Sequence, residues 1–231
     1  MEFLGFKNYW NDFLQSAETQ VVMFRDKGVD HDTIVVCFRG TQKFNTEDWC
    51  SDVDLSWFEF PHFGKIHSGF SKALGMQSGA GWAKQVVSDS THGPRRAPLG
   101  GALAAIFPAI LFYHDEQMLL ERMEGVYTFD QPRVGDNEFG DYMAKNLRKH
   151  GVHFFRYVYC NDMVPRVPFD GVFKHFGTCV YYNSKYQPYL FGMRILGLLN
   201  TGIPAHRAQN YVNSTRLGSL RHLLFHHFQH K

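Results

Sequence analysis

The 231-residue sequence has little excess charge: Lys and Arg number 24 against 22 Asp and Glu, a formal net charge of +2. It therefore lacks the clustered basic surface of a nucleic-acid binder. Charged residues make up 20% and hydrophobic residues 44%, the balance of a folded globular chain rather than a disordered one. Its four cysteines, Cys37, Cys50, Cys160 and Cys179, form no C-x-x-C pair, which leaves a structural zinc site without support. The opening Met1-Glu2-Phe3-Leu4-Gly5-Phe6-Lys7 lacks the basic and apolar regions of a secretory signal, so a cytoplasmic protein with reduced thiols is expected, although an even count permits two disulfides. The longest stretch free of Asp, Glu, Lys and Arg runs from Ala97 to His114 and contains Pro98, Gly100, Gly101 and Pro108. It is short of the ~20 apolar residues that a membrane span needs and reads as a buried helix. No internal repeat or low-complexity linker divides the chain.

What is plentiful is aromatic: 16% of residues, with 22 phenylalanines. That favours a well-filled core, a lipid-facing surface, or both. At ~150 residues per domain the length suits one domain. Gln20–Phe24 reads as a strand, and Thr33-Ile34-Val35-Val36-Cys37-Phe38 as a second. A continuous apolar run of that kind predicts a central strand covered on both faces. Asn45–Trp49 has the cap and first-turn acids of a short helix. Helix is also predicted for His67–Met76, for Leu99 to about Met123 with a kink at Pro108, for Asp136–Leu147, and for the apolar run Leu190–Leu199. Further strands are predicted at Gln85–Val87 (weakly), Val126–Phe129, His153–Tyr159 and Thr178–Tyr182. Strands alternating with helices predict an α/β fold with a mostly parallel central sheet flanked by helices.

Four segments carry a resemblance when taken in order: Val35-Val36-Cys37-Phe38-Arg39-Gly40-Thr41, Leu99-Gly100-Gly101-Ala102-Leu103-Ala104, Tyr127-Thr128-Phe129-Asp130-Gln131-Pro132-Arg133-Val134-Gly135, and Cys160-Asn161-Asp162-Met163-Val164-Pro165-Arg166-Val167-Pro168. Together they resemble the class 3 lipases, the fungal-lipase-like branch of the α/β-hydrolases. Asp48–Asp52, Lys174-His175-Phe176-Gly177 and Tyr211–Gly218 are most similar to the plant triacylglycerol lipases of oil bodies. The resemblance runs from about residue 10 to 218. It implies one lipase domain over 1–218, followed by a His-rich tail, 219–231. It also implies hydrolysis of triacylglycerol or other carboxylic esters without a cofactor, and a lipid ester or lipid-droplet surface as partner.

The family pattern Gly-His-Ser-Leu-Gly-Gly puts a serine on a sharp strand-to-helix turn, where flanking glycines expose its hydroxyl. Here Arg96-Ala97-Pro98 precedes Leu99-Gly100-Gly101, so Pro98 occupies the nucleophile position. Proline has no hydroxyl, thiol or backbone N–H and cannot form an acyl-enzyme. Ser88 and Ser90 lie nearby without a glycine-flanked elbow. The family also places a helix and a buried strand before the serine, for which only Gln77–Ala97 is available. Tyr182–His206 is short by the same standard. Missing blocks are expected, from a splice variant or an imperfectly assembled gene. An impaired enzyme is expected first; the alternatives are a non-catalytic lipid- or protein-binding chain and a truncated product that folds poorly and does little.

The other site residues follow from the resemblance. Asp162, after the strand His153–Tyr159, is the implied triad acid; a turn-capping aspartate is the plainer reading. His206 is the implied general base in the chain order nucleophile, acid, base, although Ala205 stands where the family has an acidic residue. His175 is a rival base whose place at a strand start favours a structural role. Thr41 and the N–H of Leu99 are the implied oxyanion donors. Trp49, with Phe44 and Trp57, is a candidate lid meeting lipid; ordinary core burial is the plainer reading. Asp130 stands where the family has glycine, either crowding the site or pointing to water. The tail pair His222 and His226 has an i, i+4 metal spacing but no accompanying acid, so a solvated or interfacial tail is expected and no metal.

Overall fold

The computed structural model describes residues 1–11, 16–29, 32–40, 56–74, 76, 84–86, 100–168, 171–192 and 205–217. Among these residues ten strands fall into three sheets. β1 (Glu2–Asn11), β2 (Ser16–Lys27) and β3 (Asp32–Phe38) form an antiparallel sheet in that order. β4 (Trp57–Phe60), β5 (Gly64–His67) and β6 (Lys84–Val86) form a second, with β4 in the middle. The third runs β10-β9-β8-β7. In it β7 (Gly125–Phe129), β8 (His153–Tyr159) and β9 (Thr178–Tyr182) are parallel, and β10 (Pro188–Gly192) closes it antiparallel.

The helices are α1 (Ser68–Ala73), α2 (Gly100–Tyr113), α3 (Gln117–Leu120), α4 (Asn137–Lys149) and α5 (208–217). The predicted α/β class, with a mostly parallel sheet and flanking helices, is the one observed. Among the described residues parallel pairing is confined to β7, β8 and β9, and the other ladders are antiparallel.

Several elements form where the sequence places them. β8 and β9 coincide with the predicted strands. α4 starts where Asp136 caps it: one carboxylate oxygen accepts the N–H of Phe139 at 2.9 Å and that of Lys65 at 3.1 Å, tying helix to β5. α2 is apolar on all sides and buries Ala102, Leu103, Ala105, Ile106 and Ala109 completely, as a core helix should. Around it the phenylalanines fill the centre. Phe63 stacks on Phe60 at 4.7 Å between centroids and meets Tyr113 at 5.3 Å and Phe139 at 6.0 Å.

Four expectations are corrected. The helix expected from Leu99 to Met123 continues through Pro108 but stops at Tyr113; Asp115, at φ +52°, turns the chain before α3. Leu190, expected to open a helix, lies in β10. Trp57, grouped with the lid, lies in β4, with Lys65 Nζ 5.3 Å above its ring. β3, expected to be covered on both faces, pairs only with β2 among the described residues, and Ile34 and Val36 are exposed. The helix at Asn45–Trp49, Thr41, Phe44, Trp49, Ser88, Ser90, Pro98, Leu99 and the tail histidines lie outside the described residues.

The start of α2 is pinned between two sheets. A Cβ at Gly100 would sit 2.7 Å from Gly40 N and 2.9 Å from Phe38 O, at the end of β3. At Gly101 it would sit 3.0 Å from Phe129 O, at the end of β7. These neighbours are backbone atoms and cannot swing aside, so only glycine lets the helix approach both strands. Gly100→Ala is expected to cost about 1–3 kcal/mol of stability in urea unfolding, whereas an unchanged midpoint would mean the close approach does not exist.

Candidate active site

The parallel strands β7 and β8 end side by side, each in a left-handed residue: Asp130 at φ +52° and Cys160 at φ +45°. The N–H of Asp130 donates to Tyr157 O at 3.2 Å, and that of Cys160 to Tyr182 O at 2.6 Å, so both turns are fixed to the adjacent strand. The carboxyl ends of parallel strands are where open α/β folds collect ligand and catalytic groups. Two residues after Cys160 comes Asp162, wholly buried. Its backbone N–H bonds Tyr159 O at 3.0 Å.

Three donors from three directions converge on the Asp162 carboxylate. The N–H of Val164 donates to Oδ1 at 3.0 Å, inside the turn that leads to the 3-10 segment Val164–Arg166. The Tyr211 hydroxyl, from α5, donates to Oδ2 at 2.5 Å and accepts the N–H of Tyr159 at 3.3 Å. His206 Nδ1 lies 3.1 Å from Oδ2 and 3.3 Å from Oδ1. A buried carboxylate is tolerated only when donors meet it, and charge-assisted bonds of this kind are the strong ones. The backbone of the same turn is held by Arg166, whose Nε donates to Asp162 O at 3.1 Å.

With the Nδ1 proton directed at Asp162, His206 carries its lone pair on Nε2, the tautomer a general base requires. The ring is mostly covered, its side chain 14% exposed. Burial disfavours the charged imidazole, but the Asp162 hydrogen bond and the charges of Asp162 and Asp130 outweigh it and raise the His206 pKa. Asp130 lies near, with Oδ2 3.6 Å from His206 Nδ1. Burial, reduced by the pull of His206 and reinforced by the push of Asp162, lifts the Asp130 pKa to about 7.

Of the implied site residues, the structure brings Asp162 and His206 together, with Asp130 beside them. His175 is elsewhere engaged: it is buried, its Nε2 sits 2.6 Å from Pro165 O, and burial together with the nearby Arg156 and Arg133 holds it well below the ordinary histidine value. It suits a neutral structural imidazole. Tyr211 is the residue that sequence reasoning missed in this role. It falls in the Tyr211–Gly218 motif, but a phenol 49 residues from its carboxylate partner leaves no local signal. Among the described residues no group of three metal-ligating side chains occurs, and no helix is long and apolar enough to cross a membrane.

The sequence profile of the family described as lipase (class 3) matches residues 35–172. The chain is 32% identical to triacylglycerol lipase OBL1 of Nicotiana tabacum, the match covering 96% of this chain and 61% of that protein. It thus spans about three fifths of the relative's length. The alignment extends over 351 positions although this chain has 231 residues, so the relative carries internal blocks with no counterpart here. In fold it is similar to the Rhizomucor miehei triacylglyceride lipase, with a TM-score of 0.60 at 19% identity, covering 89% of this chain and 78% of that one. It is also similar to a triacylglycerol lipase whose catalytic centre is described as a serine protease triad, with a TM-score of 0.57 at 20% identity, covering 90% and 78%.

Two outcomes are expected of the site itself. Tyr211→Phe removes a donor from a buried carboxylate and strands the Tyr159 N–H, which should cost about 2 kcal/mol in chemical denaturation; a loss below a few tenths would contradict the bond. A histidine whose pKa is raised by folding contributes stability that is complete below its unfolded value and is lost as pH rises through its folded value. His206→Gln should therefore lower the melting temperature more at pH 6 than at pH 9, and the reverse order would contradict the raised pKa.

Proposed function

This chain belongs to the class 3 lipases, and we propose that Asp162 and His206 are the acid and the general base of an acyl-transfer site for lipid esters in which Pro98 stands where the serine belongs. The observation that carries this reading is the 3.1 Å contact between His206 Nδ1 and the buried Asp162 carboxylate at the end of β8. In a complete site of this type a serine hydroxyl attacks the ester carbonyl and a histidine Nε2 takes its proton. The aspartate steadies the imidazolium, and backbone N–H groups hold the oxyanion. Thr41 and Leu99 are our candidates for those donors, and Trp49 for a lid. No metal or cofactor is needed. The substrate class we propose is triacylglycerol or a similar carboxylic ester, met at a lipid surface such as a droplet, with 1–218 as the lipase domain and 219–231 as a tail.

Pro98 removes the attacking atom, and the defect extends beyond one side chain. β3 and β7 each leave one edge unpaired among the described residues, and the start of α2 lies across the ends of both. A strand running between them into the turn before Gly100 would complete one continuous sheet and present a nucleophile. The blocks that the tobacco relative has, and this chain lacks, are our proposed source of that strand. We therefore propose an inherited hydrolase scaffold with little or no turnover in this form.

A fluorophosphonate probe tests the reading. The folded chain is expected to remain unlabelled, and Pro98→Ser alone is expected not to restore labelling, because Arg96 and Ala97 still lack the turn chemistry. Specific labelling of the parent would overturn it, as would recovery by that single change. A second reading, lipid-surface binding without catalysis, is favoured by the exposed Phe3, Phe6, Tyr9, Ile34 and Val36 of the first sheet. Flotation with triacylglycerol droplets by a chain that melts cooperatively would support it; a chain that neither floats nor melts cooperatively would point to a truncated product.

A further inference from the structure

His206 faces two carboxylates. Asp162 approaches Nδ1 from the loop after β8 at 3.1 Å, and Asp130 approaches the same nitrogen from the loop after β7 at 3.6 Å. The triad chemistry uses one carboxylate, and the family resemblance implies a glycine where Asp130 stands. The second acid is thus a property of this chain's own sequence. Its placement is fixed. The N–H of Asp130 is bonded to Tyr157 O, and the left-handed φ of +52° directs the side chain from a rigid strand end. That conformation is one aspartate tolerates better than most residues but glycine better still.

We propose that Asp130 is a positioning residue for His206: a second carboxylate that shares Nδ1 with Asp162, clamps the ring between the ends of β7 and β8, and makes the imidazole hold its proton to higher pH than Asp162 alone would. The groups that face this cluster are the Asp162 carboxylate, the Tyr211 hydroxyl bonded to it from α5, and the Arg166 guanidinium on the carbonyls of Asp162 and Cys160. The two carboxylates, Asp162 and Asp130 itself, both favour imidazolium. The elevated pKa of Asp130, about 7, places its own proton uptake within reach of the imidazole's, so the two groups titrate together. A base clamped in this way is available only from a higher pH. The inference deepens the acyl-transfer reading and rests on it only in naming His206 a base. Its test does not depend on turnover, so failure of the clamp and failure of the lipase reading register separately.

The experiment is an NMR titration of the intact, isotope-labelled chain, following the His206 ring in the parent and in Asp130→Asn. The midpoint is expected to fall by about half a unit or more, roughly a threefold loss of proton affinity. A midpoint that stays within about a tenth of a unit, or rises, overturns the clamp, because a purely structural aspartate would alter stability without moving this titration. Asp130→Gly, which suits the left-handed backbone, serves if the asparagine variant does not fold. In the parent itself the Asp130 carboxyl carbon should show an inflection at the His206 midpoint; a carboxyl carbon that does not respond there overturns the proposal without any variant.

Discussion

A wholly buried carboxylate at the end of a strand must be met by donors, and at Asp162 those donors come from three parts of the chain. The turn after β8 supplies the N–H of Val164, α5 supplies the Tyr211 hydroxyl, and the segment before α5 supplies His206. Desolvation of an unpaired carboxylate would cost several kcal/mol. The carboxylate therefore organises its surroundings as much as it is organised by them. Tyr211 completes the arrangement by accepting the N–H of Tyr159, the last residue of β8. The end of β8, the turn and α5 are thus joined through one side chain, and the histidine is oriented as a consequence.

The other half of the site shows the opposite condition. Gly100 and Gly101 bring α2 into backbone contact with the ends of β3 and β7, yet these strands belong to separate sheets among the described residues. The apolar run in β3 and the aromatic side chains of β7 have the composition of covered strands, but Ile34, Val36, Tyr127 and Phe129 are exposed. Composition and environment disagree on either side of the start of α2, in a chain that lacks internal blocks carried by its longer relative.

Legibility from sequence followed the same division. β8 and β9 were readable because aromatic and β-branched residues alternate between clear breaks, with Gly151 before β8 and Gly177, at φ +73°, before β9. The start of α4 was readable from Asp136 as a cap. Leu190 was misassigned because a short apolar run has no period that separates a strand from a buried helix. The break after Tyr113 was missed because it depends on Asp115 adopting a left-handed backbone, which composition does not announce. Burial of β3 was overestimated because an apolar run reports what a strand is suited to, not whether its partner is present. Asp162 and His206 were legible from motif and chain order. The phenol of Tyr211 and the approach of Asp130 to His206 were not, since both depend on where distant elements dock.

The most direct test compares hydrolysis of a short-chain ester, p-nitrophenyl butyrate, by the purified chain and by a version in which the tobacco relative's residues replace the stretch between Met76 and Gly100. No turnover above background is expected from the first. From the second, turnover is expected that Asp162→Asn reduces by several orders of magnitude. Turnover by the unmodified chain that is lost on replacing His206 would contradict it.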